Sequence, residues 1–543
     1  MLRGGLVSIN FFGFGVHLGK LQGISPSEAV DFFGVLSIMK TWLLTFGALW
    51  LMLFATNLRG AETESARAKP ARPNIVILYA DDMGWGDLGA QNPDSKIPTP
   101  NLDRLASQGL RLTDAHSSSG ICTPSRYALL HGRYHWRKFH GIVNSFDQSV
   151  MDDERVTMAE LLKTEGYKTA CIGKWHLGWD WNAIKRPGAK GGAQGTGFAA
   201  EDFDWSKPIP GGPLSHGFDY YYGDDVPNFP PYAWFENDRI VVPPTVRVTT
   251  TEPTAEGNWE ARPGPAVKDW DFWNVMPTLT DKAVAWINKQ KADEPFFLYF
   301  PFTSPHAPIV PTKEFTGKSQ AGGFGDFMTQ TDATVGRVLE ALDKQGLAEN
   351  TLVIFTADNG PEHYAYERVR KFEHRSMGPL RGLKRDLWEG GHRVPMVIRW
   401  PKHVPAGKVS DGLMSQIDLL ATIATIVDAE IPAGSADDSY NQLPLWTGTA
   451  PSARDTLVHN TNAGGYAIRH GHWVLIDAKS GGVSKVPAWF DEASGYTANK
   501  QPGELYNLQD DLAQKHNLYA DHKEKVDDLK ARLQTIREKG QVR

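Results

Sequence analysis

The sequence predicts an α/β protein with a large, mostly parallel sheet, helices on both sheet faces, and a small α+β domain at the C-terminus. Three observations predict it. Short β-branched apolar runs alternate with stretches of helical periodicity, the pattern of an open parallel sheet. Several of those runs end abruptly in polar clusters. After about residue 430 the alternation gives way to hairpin-like segments and one long polar helix.

The elements follow in order. "NIVILY" (74–79) is a buried strand, because an uninterrupted apolar run belongs to a sheet covered on both faces. "TPNLDRLASQG" has helical spacing and stops at Gly109. The helix "RVTMAELLKTEG" leads into the strand "YKTACIG". The helix "LTDKAVAWINKQ" leads into "PFFLYFPF", and "DATVGRVLEALDKQG" into "TLVIFTA". The strand "VPMVIRW" and the helix "IDLLATIATIVDA" close the large domain, assigned to 74–430. In 431–543, "YAIRHGHWVLIDA" reads as a hairpin. "GELYNLQDDLAQKHNL" reads as an extended loop, and "HKEKVDDLKARLQTIREKG" as an amphipathic helix.

The N-terminus has a different character. From Met39, one lysine precedes an apolar run from Trp42 to Ala55 and small residues at Gly60 and Ala61, the anatomy of a signal peptide over 39–61. Residues 1–38 lack that anatomy and read as a mis-assigned start, and 62–73 as a disordered leader. The run is short for a bilayer span, which needs roughly 20 residues. The expectation is therefore export to the periplasm or medium, without a stable membrane anchor. A net charge of -6 on 543 residues argues against a nucleic-acid partner.

The ends of the strands carry the chemistry. "NIVILY" runs into Asp81 and Asp82, "TLVIFTA" into Asp358 and Asn359, "YKTACIG" into Lys174 and His176, and "PFFLYFPFTSP" into His306. Ligands of open α/β sheets bind beyond the carboxyl ends of the strands. One such cluster could be a turn, but four at one edge predict a shared site. Its oxygen donors suit a hard cation, Ca²⁺ or Mg²⁺. Lys174, His176, His306 and Arg126 surround that cation with positive charge and proton donors, which calls for an anionic substrate such as a sulfate or phosphate ester.

Cys122, in "SSSGICTPSRYALLHGRY", starts a helix with Pro124 in its first turn and Thr123 or Ser125 near the cap. A thiolate there would be reactive, yet it is a soft partner for a hard cation, and an oxygen nucleophile would fit better. An exported chain whose cysteines are Cys122 and Cys171 also raises a disulfide between them.

Taken together, "CTPSR", "YADDMGWGD", "GKWHLG", "SPHAP", "TADNG", "GLKRDLWEGGHRVP" and "ELYNLQDDLAQKHNL" resemble the formylglycine-dependent (type I) sulfatases of the alkaline phosphatase superfamily, over about 74–540. The resemblance implies that a formylglycine-generating maturation enzyme oxidises Cys122 to Cα-formylglycine, whose hydrate is the nucleophile. It implies that Asp81, Asp82, Asp358, Asn359 and residue 122 hold the cation, usually Ca²⁺. Arg126 and Lys174 would steady the hydrate and the sulfate, and His176 would be the base that collapses the intermediate. His306 and Lys384 would contact the sulfate and assist the leaving group. On this reading Cys171 is a small buried hydrophobe rather than a disulfide partner.

His374, Arg375, His392 and Arg393 are candidate substrate contacts, with an ion-pair role equally open for Arg393 and a solvated loop for His374 and Arg375. Residues 175–275 are rich in Gly, Pro and aromatics, including eight of the 18 tryptophans, and predict substrate loops. Aromatic faces suit sugar rings, so a sulfated carbohydrate is the expected substrate, ahead of a small aryl sulfate. Trp234 and Trp259 are the expected mouth residues, and Arg381 joins His374 and Arg375 as a basic wall. Two other readings remain: a phosphonate or phosphodiester hydrolase of the same superfamily, and an inactive glycan-binding protein if Cys122 is not converted.

Overall fold

The computed structural model describes residues 72–249, 254–257, 259–461 and 464–539, with the backbone of two short strands, Ile9–Phe11 and Phe14–Val16, paired antiparallel. The expected signal peptide and nearly all of the expected leader lie outside the described residues. Residues 72–543 form one compact unit.

Its centre is a ten-stranded sheet. In chain order the strands are β1 (Asn74–Ala80), β2 (Leu110–Leu112), β3 (Lys168–Lys174), β4 (Tyr220–Asp225), β5 (Phe235–Glu236), β6 (Arg239–Ile240), β7 (Phe296–Pro301), β8 (Thr351–Ala357), β9 (Met396–Arg399) and β10 (Lys408–Ser410). Their order across the sheet is β10-β2-β9-β8-β1-β7-β3-β4-β5-β6. The five central strands β8, β1, β7, β3 and β4 are mutually parallel. The segment "VPMVIRW" is a strand as expected, but β9 runs antiparallel to both β8 and β2. Hydrophobicity alone carries no direction, so the sequence did not reveal this.

Strand β1 shows why the sheet is covered on both sides. Ile75, Ile77 and Tyr79 enter one core, with the helices α2 (Cys122–His131), α3 (Met158–Thr164) and α6 (Leu419–Val427). Val76, Leu78 and Ala80 enter the other, with α1 (Pro100–Ser107), α4 (Val275–Ile287) and α5 (Gly322–Lys344). Alternate side chains of a strand point to opposite faces, so a run without polar breaks requires two apolar partners. Helix α2 is buried over all ten residues.

The C-terminal part is a four-stranded antiparallel sheet, β11 (Thr456–Asn460), β12 (Tyr466–His470), β13 (Trp473–Ile476) and β14 (Glu504–Asn507). The expected hairpin is β12–β13. The expected loop "GELYNLQDD" instead supplies β14, paired with β13. Helix α7 (Lys523–Lys539) lays Val526, Leu529 and Leu533 on Val458, Ile468 and Leu475, and the same cluster takes in Ala128 of α2. The small sheet is thus packed against the helix that begins at Cys122. Among the described residues, no helix is long and apolar enough to cross a membrane.

Candidate active site

Register brings the acids together. Ala80 of β1 pairs with Ala357 of β8, and the next amide, Asp358 N–H, donates to the Ala80 carbonyl at 3.0 Å. Asp81 and Asp358 therefore leave adjacent strands side by side. Asp82 follows in a left-handed conformation (φ 65°), and its N–H donates to Asp358 Oδ1 at 3.2 Å. Strained backbone of this kind persists where surrounding contacts enforce it.

Lys174 reaches the same edge through an irregularity. The β3–β4 register shifts between Ile172 and Lys174. Gly173 has φ +127°, and a Cβ there would lie 1.9 Å from the Pro301 carbonyl oxygen. Only glycine fits this close approach. The shift presents Lys174, whose Nζ donates to Asp81 Oδ2 at 2.6 Å.

Each carboxylate has a cationic partner, and all of these side chains are buried. Arg126 donates to Asp358 Oδ2 from Nε and Nη2, and lies 3.6 Å from Asp81 Oδ1. Lys384 lies 2.8 Å from Asp82 Oδ1, and His306 Nε2 lies 3.6 Å from Asp82 Oδ2. Burial opposes the charge on Asp81, yet Lys174 and Arg126 hold its carboxyl below the ordinary carboxylate range. Burial likewise opposes the charge on Lys384, but Asp82 raises its pKa well above the usual value. Burial dominates at the histidines. With Lys384 adding to it, His306 is pushed down to about 3, and with Lys174 adding to it, His176 falls well below 6.5. Both imidazoles are neutral at physiological pH.

Cys122 is the first residue of α2, and its Sγ lies 3.7 Å from Asp81 Oδ1. Burial, then Asp358, drives the thiol pKa far above its usual value. The group is a protonated thiol, a poor nucleophile as it stands. Pro124 lies in the first turn as expected. Neither Thr123 nor Ser125 caps the helix, because Thr123 Oγ1 donates to the His176 carbonyl and Ser125 Oγ to the Ser119 carbonyl. The first bond fixes the helix start against the β3 exit, and the second ties it to the segment leading into the helix. Cys171 is buried in β3, and both cysteines are free thiols.

His176 follows Lys174 with φ 56°. Its Nε2 lies 3.0 Å from the Val143 carbonyl, which can only accept, so Nε2 carries the proton. Its Nδ1 is buried without a partner among the described residues, a free basic nitrogen.

The site holds groups that could bind a metal ion. Ligand atoms of Asp81, Asp82, Cys122 and His306 lie within 4.8 Å of one another. Asn359 donates from Nδ2 to Asp82 Oδ1 at 2.7 Å and leaves its own Oδ1 buried without a partner among the described residues. An orphaned buried oxygen beside carboxylates is an acceptor that a cation would satisfy.

The four expected substrate contacts fare differently. His374 is buried, with Nε2 2.8 Å from Asp87 Oδ1 and Nδ1 accepting from Lys96 N–H, so both ring nitrogens are used internally. His392 is buried against His116 (Nδ1 to Nδ1, 3.0 Å) and stacks on His459. Arg393 donates to the Thr113 carbonyl and pairs with Asp114 and Glu389. His374 ties its loop to Asp87 and Lys96, whereas His392 and Arg393 hold the fold together where the chain after β2, the 389–392 helix and the C-terminal sheet meet. Arg375 is exposed over the Phe490 ring. Arg381 stacks on Trp388 and Tyr496, so it is not the basic wall expected of it. A basic residue in a loop reads the same in sequence whether it meets substrate or a neighbouring strand.

The aromatic loops also differ from expectation. Trp175, Trp179 and Trp181 are core residues, and Trp259 is 6% exposed against Phe272 and Trp273. Trp234 stacks on Tyr222 and meets Trp270 at a tilt. Trp273, 40% exposed, lines with Pro227 and His306 a small pocket beside the cluster. Glu362, which the sequence reading missed, lies 3.4 Å from Lys384 and pairs with Arg385. Its place three residues beyond Asn359 was the available signal.

Comparison with known proteins fits this geometry. The sulfatase family model matches residues 73–429. An N-acetylgalactosamine-6-O-sulfatase of Bacteroides thetaiotaomicron is 32% identical over 508 residues, covering 86% of this chain and 93% of that protein. Human arylsulfatase A is 34% identical over 471 residues, covering 83% of this chain and 84% of that protein. Among solved structures, one described under the metabolism of multiple glycosaminoglycans by B. thetaiotaomicron superposes with a TM-score of 0.71 at 31% identity. It covers 86% of this chain and 100% of that one. Strand-end acids, buried counter-cations and a cysteine at a helix start thus sit in a chain similar to sulfatases along most of its length, and the chain belongs to the sulfatase family.

Proposed function

We propose that this sulfatase removes sulfate from a sulfated glycan through a formylglycine made from Cys122 and a Ca²⁺-type cation, after export from the cytoplasm. The observation that carries the reading is the position of Cys122 Sγ, 3.7 Å from Asp81 Oδ1 inside a cluster of carboxylates and cations. Asp81, Asp82, Asp358 and Asn359 would hold the cation, with residue 122 as a further ligand; it would polarise the attacking oxygen and the sulfate oxygens. Once formed, the hydrated aldehyde supplies one hydroxyl that attacks sulfur and expels the alcohol. Deprotonation of its second hydroxyl expels sulfate and restores the aldehyde.

The chain's own residues divide the remaining work. His176 takes the proton at Nδ1, because its Nε2–H is committed to the Val143 carbonyl. Arg126 and Lys174 hold Asp358 and Asp81 in place and present positive charge to sulfate oxygens. Lys384, kept charged by Asp82, and His306 flank the departing alcohol. The neutral imidazole of His306 donates Nδ1–H to its own loop at the Ala307 carbonyl, which fixes the ring.

Bacterial and mammalian relatives are named for N-acetylgalactosamine-6-sulfate chemistry, so a glycan bearing a 6-sulfated amino sugar is the first substrate to try. Mass spectrometry of the Cys122 peptide tests conversion, and release of sulfate from that glycan tests activity. Faster hydrolysis of a phosphodiester than of the sulfate ester would overturn the reading. So would full activity in the Cys122→Ala protein.

A further inference from the structure

Arg262 stands beside the catalytic base without an acidic partner among the described residues. Its guanidinium carbon lies 3.6 Å from the centroid of the Phe229 ring, and the same ring meets the His176 imidazole at 5.4 Å with an interplanar angle of 84°. Its Nη1 donates to Asn144 Oδ1 at 3.2 Å. Asn144 follows Val143, whose carbonyl takes the Nε2–H of His176. Two separate chains of contact therefore tie this guanidinium to the base. The backbone is pinned as well: Arg262 N–H donates to the Asn228 carbonyl at 2.9 Å, and the Tyr232 hydroxyl donates to the Arg262 carbonyl at 2.6 Å.

The other arginines near the site are matched with acids: Arg126 with Asp358, Arg385 with Glu362, and Arg368 with Glu256. The acids near Arg262 are engaged elsewhere. Asp147 accepts from the backbone and side chain of Asn144, and Glu260 accepts from the Tyr364 hydroxyl. A half-buried guanidinium without a carboxylate costs stability, and it offers five N–H donors in a planar fork. Asn144 takes one. Stacking on Phe229 holds the fork in place before any ligand arrives.

We propose that Arg262 is a specificity residue that reads a second anionic group of the saccharide, a carboxylate or another sulfate, apart from the ester being cleaved. The fork matches either oxyanion in bidentate geometry. The inference rests on the sulfated-glycan reading and names a feature of that glycan, a second negative charge.

The test uses three disaccharides that share the cleavable sulfate ester. One is otherwise neutral, one carries a uronate, and one carries a second sulfate. Binding is measured by calorimetry in Cys122→Ala protein with Ca²⁺ present, and kcat/KM is measured in the converted enzyme. The expected result is a preference for at least one doubly anionic disaccharide over the neutral one, reduced tenfold or more by Arg262→Gln and by Arg262→Met. The methionine keeps an apolar stem on Phe229, so a fold defect at glutamine leaves the charge question answerable. The preferred disaccharide identifies the anion as carboxylate or sulfate. No preference in the wild-type site, or a preference that survives Arg262→Met, overturns the proposal. A binding preference lost with Arg262, in an enzyme that hydrolyses none of the three, would sink the sulfatase reading and leave this one standing.

Discussion

Arg126 donates from Nε at 3.2 Å and Nη2 at 2.8 Å to one oxygen, Oδ2, of Asp358, while its Nη1 donates to the Lys174 carbonyl at 3.0 Å. A single guanidinium thus ties the start of α2 to the ends of β8 and β3. Arg126→Ala would leave a buried carboxylate uncompensated, at a cost of about 3–5 kcal/mol. Arg126→Lys would recover part of that stability but not the three-way fork. Urea unfolding of both variants, alongside sulfate release, should show large losses of activity in each and a smaller stability loss in the lysine variant.

The cation reading predicts ligand-linked stability. Ca²⁺ at a hundred times its dissociation constant should stabilise the folded chain by about 2.7 kcal/mol, and Zn²⁺ should restore chelator-treated enzyme less well. Asp82→Ala should abolish the calcium-dependent rise in Tm. A zinc-dependent rise of equal size would contradict the reading of Asp81, Asp82, Asp358 and Asn359 as a hard-cation site.

Asp224 predicts an unusual pH dependence. Both of its carboxyl oxygens are buried without a partner among the described residues, and burial, with the charge of Asp225 adding to it, raises its pKa to about 7. Between roughly pH 4 and 7 the folded chain keeps a proton that the unfolded chain has released, so this group lowers stability as pH rises through that window. Asp224→Asn should flatten the dependence and stabilise the protein above pH 7, by at most on the order of 4 kcal/mol. Chemical denaturation at pH 4.5 and 7.5 reads the difference.

Trp259 predicts a structural loss. Packed against Phe272 and Trp273, it should cost about 3–5 kcal/mol on truncation to Ala. Activity on a small aryl sulfate and on a glycan should then fall together. A loss confined to the glycan would return Trp259 to the mouth of the site.

Much of the fold was legible because strand hydrophobicity and strand-end polarity are local properties. Asp81, Asp82, Asp358, Asn359, Lys174 and His306 could be gathered at one edge because parallel strands share a direction. The antiparallel β9 was not legible, since its neighbours lie far away in sequence. The same holds for His374, His392 and Arg393, whose partners Asp87, His116 and Asp114 are some 280 residues distant. The left-handed turns at Asp82 and His176 left no mark in composition either, because tertiary contacts impose them. Arg262 was hidden for a related reason: its meaning lies in the carboxylate it lacks.

The pairing of Asp81, Asp82 and Asp358 with Lys174, Lys384 and Arg126 has a consequence for the order of assembly. Three negative groups face three positive ones, so the nascent centre is electrically quiet and can close on itself before any ion arrives. A dication bound there would tip the balance to net positive and compete with the ammonium groups for their internal partners. The attraction for an anionic ester would then come mainly from the bound ion, because the carboxylates and cations of the centre otherwise neutralise one another.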